Sequence, residues 1–300
     1  MMERILFALL VAQLTVNALL LPRINVHWDE FHFLSQIYEG ARGDIGSVYQ
    51  TLHVRLLAPF ALFSGNEVDT IIIGRTFMWC VSLIALLLLM SQLGGVCSIP
   101  ALFAGLAVVT LPEFILYAAN FRFDPLLACL FCFALWVSQP KVDGSASQSG
   151  GIYAAIAFAL ALMINLKASL FLCGYWLIQI LRSPPPTRWW VSHLSSLAFC
   201  VGALFITHQT GVTTVSLSST SSKLTGVAKG FLLNGLSEAG TTTLSLSVAG
   251  DPLFWMLTLS GVIFSLRFSE PEQRWKWAGS FVVPLFFFYR NAWPYFLPLA

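Results

Sequence analysis

Apolar runs of about 15 to 22 residues recur along the chain, close to the roughly 20 that a helix needs to cross a hydrocarbon core. Backbone amides cannot stay unpaired in lipid, so runs of this length must be helical, and strand-like alternation is absent. Of the 300 residues 57% are hydrophobic and 10% charged, against roughly 25% charged in a soluble domain. Too few charges remain to cover a water-exposed surface. The expected fold is therefore all-α: a single polytopic transmembrane bundle spanning residues 1–300. A net charge of +2 and the lack of any sustained basic stretch exclude a nucleic-acid partner.

Helices are expected at about 5–22, 70–90, 99–117, 125–138, 151–166, 168–181, 190–208, 252–266 and 277–289, with a tenth from about 293. The stretch 151–181 is too long for one span and is interrupted by Lys167, so two short helices should meet there. The first apolar run, after Met1-Met2-Glu3-Arg4, ends Leu20-Leu21-Pro22-Arg23 without a small-residue cleavage site, which favours a retained helix over a signal peptide. A cytoplasmic N-terminus puts Lys141, Arg182, Arg188, Arg267, Arg274 and Lys276 in inner loops and most acids outside, the bias expected of a multi-pass inner-membrane protein. Two outer segments are long: 23–69, dense in polar residues, and 209–250, rich in Ser, Thr and Gly, with an amphipathic piece near Val227–Glu238. Five of the six cysteines lie inside apolar runs, including the Cys129/Cys132 pair, and read as plain thiols rather than a redox or metal motif.

Ionisable groups at membrane depth are costly and mark functional pathways. On this topology Asp29, Glu30, Arg122, Asp124, Lys167 and Arg290 all fall at outer helix ends, where one interfacial pocket would gather them. Around Asp29 the sequence reads His27-Trp28-Asp29-Glu30. Phe31, Leu34, Ile37, Tyr38 and Ala41 follow at helical spacing, which describes an amphipathic helix on the membrane surface. Asp29 is either the cap of that helix or a general base held at the boundary, and the two are compatible. His27, His32 and His53 with Asp29 or Glu30 offer ligands for a divalent metal, or simply interfacial histidines. Arg122 and Asp124 either contact a ligand or pair with each other and start the next helix, with Pro125 in its first turn. Lys167 either snorkels or meets phosphate. Trp293 and Tyr295 suit interface anchoring, but Arg290-Asn291 between apolar stretches points to an anionic ligand.

Together these residues resemble the GT-C superfamily of membrane glycosyltransferases, nearest the protein O-mannosyltransferase and lipid A aminoarabinose transferase types. The resemblance runs in order through Trp28-Asp29-Glu30, Leu52-His53, Gly74-Arg75, Arg122-x-Asp124, Lys167 and Tyr289-Arg290-Asn291. It implies transfer of a sugar from a polyprenyl-phosphate donor to a lipid, glycan or protein acceptor on the extracytoplasmic face. Asp29 and Glu30 would be catalytic, with Asp29 and His27 also offering the metal site. Lys167, Arg290 and Arg122 would bind the donor phosphate, supported by Asp124, His53, Asn291 and Tyr295. The chain departs from the pattern where Val54-Arg55 replaces a proline-rich motif after His53. It also ends at Leu297-Pro298-Leu299-Ala300, so further helices and a soluble domain are expected to be missing. A transporter or flippase, or a non-catalytic membrane subunit, are the alternatives. Absence of an internal repeat and the one-sided charges favour the enzyme.

Overall fold

In the computed structural model the residues described are 1–42, 51–63, 65–111, 114–115, 118–139, 148–165, 168–182 and 185–209, with Met256, Leu259, Ser260, Ile263 and Arg267 further on. Among them there are nine α-helices and no strand: α1 (Met2–Leu20), α2 (Trp28–Arg42), α3 (Thr51–Leu57), α4 (Glu67–Ser91), α5 (Ile99–Thr110), α6 (Asp124–Val137), α7 (Gln148–Ile164), α8 (Ala168–Arg182) and α9 (Thr187–Gln209). A 3-10 helix, Ala58–Leu62, continues α3. The isolated later residues are helical, as expected for 252–266. The helices expected at 277–289 and from 293, and the outer segment 209–250, lie outside the described residues.

Local chemistry accounts for the helix ends. Asn66 caps α4, its side-chain oxygen accepting from the Asp69 amide at 2.9 Å. Ser98 does the same for α5 through the Ala101 amide at 3.3 Å, and Pro100 sits in the first turn. The helix expected over 99–117 is broken at Leu111, which precedes Pro112 and is extended (φ −60°, ψ 132°), and Phe114 and Ile115 beyond it are helical again. The break expected near Lys167 is present: α7 ends at Ile164 and α8 begins at Ala168. By length and composition α1 and α4 are able to cross a membrane, whereas α5, α6, α7 and α8 are apolar but shorter. All six cysteines are free; Cys132 is buried and Cys80, Cys97 and Cys173 are exposed.

Three hydrophobic clusters hold the elements together. One joins α6, α7, α8 and α9 around Phe131, Phe158, Phe171 and Tyr175. A second seats α1 against α4 and α5. There the buried Asn17 amide group donates to the Val109 carbonyl at 3.0 Å. A third packs Leu34 and Ile37 of α2 on Leu57, Ile71, Met78 and Phe121. This last contact presses the start of α2 against α4 and the segment leading into α6. Gly74 permits it, because a Cβ at that position would run into the Phe121 ring.

At the far end of α6 the described residues form a polar cluster of Ser138, Tyr175 and His193. Ser138 shares a hydrogen bond with the Tyr175 hydroxyl at 2.6 Å. His193 takes the Trp176 indole N–H on Nε2 at 3.1 Å and faces the Gly151 carbonyl through Nδ1 at 2.8 Å. Since an indole N–H only donates, His193 is the neutral tautomer with its proton on Nδ1. Trp189 stacks on it, ring centres 4.9 Å apart.

Candidate functional site

The other end of α6 is charged. Glu30 and Arg75 form a buried fork, Nε to Oε1 at 2.8 Å and Nη2 to Oε2 at 2.5 Å. The remaining donors of Arg75 reach the carbonyls of Leu21 at 3.0 Å, Ile24 at 2.7 Å and Asn25 at 2.9 Å. All five guanidinium N–H groups are thus used. Glu30 is equally saturated. Beyond the two Arg75 bonds, Oε1 accepts from the Phe121 amide at 2.9 Å and Oε2 from the His27 amide at 2.9 Å. With four acceptor positions filled and no solvent exposure, the Glu30 carboxylate is held on every side by the fold.

The cap of α2 is His27, not Asp29. The His27 ring Nδ1 accepts from the Asp29 amide at 3.3 Å, and the Glu30 side chain reaches back to the His27 amide, one half of a capping box. Asp29 is left in the first turn with its side chain 27% exposed. Its Oδ2 meets Arg122 Nη1 at 2.5 Å. Arg122 is buried, lies over the faces of Phe33 and Phe123, and forms a second ion pair from Nε to Asp124 Oδ2 at 3.1 Å. Asp124, Pro125 and Arg122 therefore start α6 together, and the same arginine ties that start to α2. No match was found to any family model, curated protein or solved structure.

His53, on α3, is fully buried with its ring edge-on to Phe33 and Phe123, at 5.5 and 6.0 Å between centres. Among the described residues neither ring nitrogen has a hydrogen-bond partner. Burial, with the nearby Arg122 charge second, pushes its pKa down to about 3. The ring is uncharged at neutral pH.

The described residues thus bring Asp29, Glu30, Arg122, Asp124, His53 and His27 to one region. Lys167, Arg290, Asn291 and Tyr295 lie outside the described residues. Among the described residues no group of three or more His, Cys, Asp or Glu side chains is placed to hold a metal. Of the expected pair, His27 Nδ1 accepts the Asp29 amide and lies 3.7 Å from Asp29 Oδ2, which also meets Arg122. Arg75 was not among the expected site residues. Its signal was available: it is the lone cation inside an otherwise apolar helix and must find a carboxylate.

Proposed function

We propose that this chain is a polytopic membrane glycosyltransferase of the GT-C type, which moves a sugar from a polyprenyl-phosphate donor to an acceptor on the extracytoplasmic face. The observation that carries the reading is the Asp29 carboxylate, partly exposed and aimed by a buried arginine at the point where apolar helices end. Membrane association is supported by α1 and α4, each long and apolar enough to cross a bilayer. It is supported too by large apolar side chains left uncovered, among them Leu19, Phe199 and Ile206 at 66%, 75% and 67% exposure.

In this reading the donor's reactive carbon lies at headgroup depth beside Asp29. An acceptor hydroxyl oxygen bonds to the anomeric carbon as the carbon–oxygen bond to phosphate breaks. Asp29 takes the hydroxyl proton and the polyprenyl phosphate leaves, with inversion at the anomeric centre. Arg122 holds the carboxylate in line. Among the described residues, the three carboxylates and two guanidiniums of the cluster sum to one net negative charge. Binding of the donor phosphate falls in this reading to Lys167, Arg290 and Arg122, whose positive charges would stabilise the departing phosphate.

The test uses the full chain in lipid nanodiscs with polyprenyl phosphate-mannose and polyprenyl phosphate-aminoarabinose as donors. Asp29→Asn should lower turnover by about 100-fold or more, the usual contribution of a positioned base, while the variant still folds and melts cooperatively. Wild-type turnover in that variant, or movement of the donor across the bilayer without sugar transfer, overturns the reading. The second result would instead support a flippase.

A further inference from the structure

We infer that Arg75 is a positioning residue for Asp29, acting through Glu30 and the turn between α1 and α2. Three carbonyls of that turn, from Leu21, Ile24 and Asn25, point at one guanidinium rooted in α4. The same guanidinium forks onto Glu30, the residue after Asp29. Glu30 in turn fixes both sides of the site. Its bond to the His27 amide sets the first turn of α2, where Asp29 sits, and its bond to the Phe121 amide sets the residue before Arg122. The Asp29–Arg122 contact closes the circuit. One arginine therefore determines where the carboxylate stands and where its partner stands.

Lysine at position 75 keeps the charge but not the geometry. Three donors on a point charge cannot serve two carboxylate oxygens and three carbonyls spread over a plane. What Asp29 does with its placement rests on the transfer reading above; the placement itself does not.

Hydrogen exchange of the full chain in nanodiscs tests the placement without substrate. In the wild type, the His27 and Phe121 amides should exchange as slowly as those of α6 and α7, because their acceptor is buried. In Arg75→Lys, residues 21–32 and 120–124 should exchange at least tenfold faster while α7 to α9 stay unchanged. A general loss of stability would instead quicken every segment. Turnover of polyprenyl phosphate-mannose should fall at least tenfold in kcat with KM within twofold, since geometry and not donor contact is lost. Glu30→Gln carries the same expectation from the other partner. Fast exchange at His27 and Phe121 in the wild type, or unchanged local exchange in both variants, overturns the proposal even if Asp29→Asn is inactive. Full activity of Asp29→Asn alongside the local exchange changes would fail the transfer reading alone.

Discussion

Residue by residue, the charged end of α6 is uneven in what it demands. His53 must stay neutral to remain buried: its folded pKa of about 3 lies below the unfolded value of 6.5. Between those values the unfolded chain holds a proton that the folded chain does not. Stability is therefore complete above about pH 6.5 and is lost as pH falls toward 3. His53→Leu should flatten that acid limb and be no less stable at neutral pH, because two unpaired buried nitrogens go with it. Thermal melts in detergent between pH 7.5 and 4.5 would check this. Arg75→Ala is the opposite case. It strands Glu30 with no cation, and removing one partner of a buried pair typically costs about 3–5 kcal/mol, visible in the same melts. The acidic pair itself was legible in the sequence, but the division of labour within it was not. Consecutive helical residues point about 100° apart, so only the packing tells which one turns inward.

At the level of the helices, the apolar runs were sufficient to place most elements, and caps and prolines account for their ends. The single helix expected to residue 117 is interrupted at Leu111, where the restriction before Pro112 outweighed continued hydrophobicity, although Phe114 and Ile115 are helical. The helix after Asp29 was readable from its spacing; of the expected stripe Leu34 and Ile37 are buried, joined by Phe33, which the spacing left out, while Ala41 is exposed. What could not be read was which small residues carry close contacts. A Cβ on Gly150 would strike the Val137 carbonyl, and one on Gly74 the Phe121 ring. Gly74→Ala should cost about 1–3 kcal/mol as Phe121 shifts, and it should loosen the Phe121 amide bond to Glu30. Gly150→Ala should cost at least as much, since backbone yields less readily than a ring. Chemical unfolding of both variants in detergent would rank them.

For the molecule as a whole, the reading places α2 outside and the α4–α5 turn inside. A membrane-impermeant maleimide should modify Ser35→Cys in intact cells, whereas the native Cys97, exposed in that turn, should react only after permeabilisation. Labelling of both from one side would contradict the topology. The convergence of Asp29, Arg122 and Asp124 was anticipated from their shared outer address. The neutral cluster of Ser138, Tyr175 and His193 was not, because such residues carry no periodic or charge signal until helices meet. These two clusters sit at opposite ends of the 14-residue α6, about 21 Å apart along its axis. That helix behaves as a ruler with a fixed phase. Deleting one residue from its middle would bring the ends only about 1.5 Å closer but turn one against the other by about 100°. Either Arg122 would lose Asp29 or Ser138 would swing away from Tyr175. Length changes that a surface loop absorbs without effect should here be as damaging as loss of a charge.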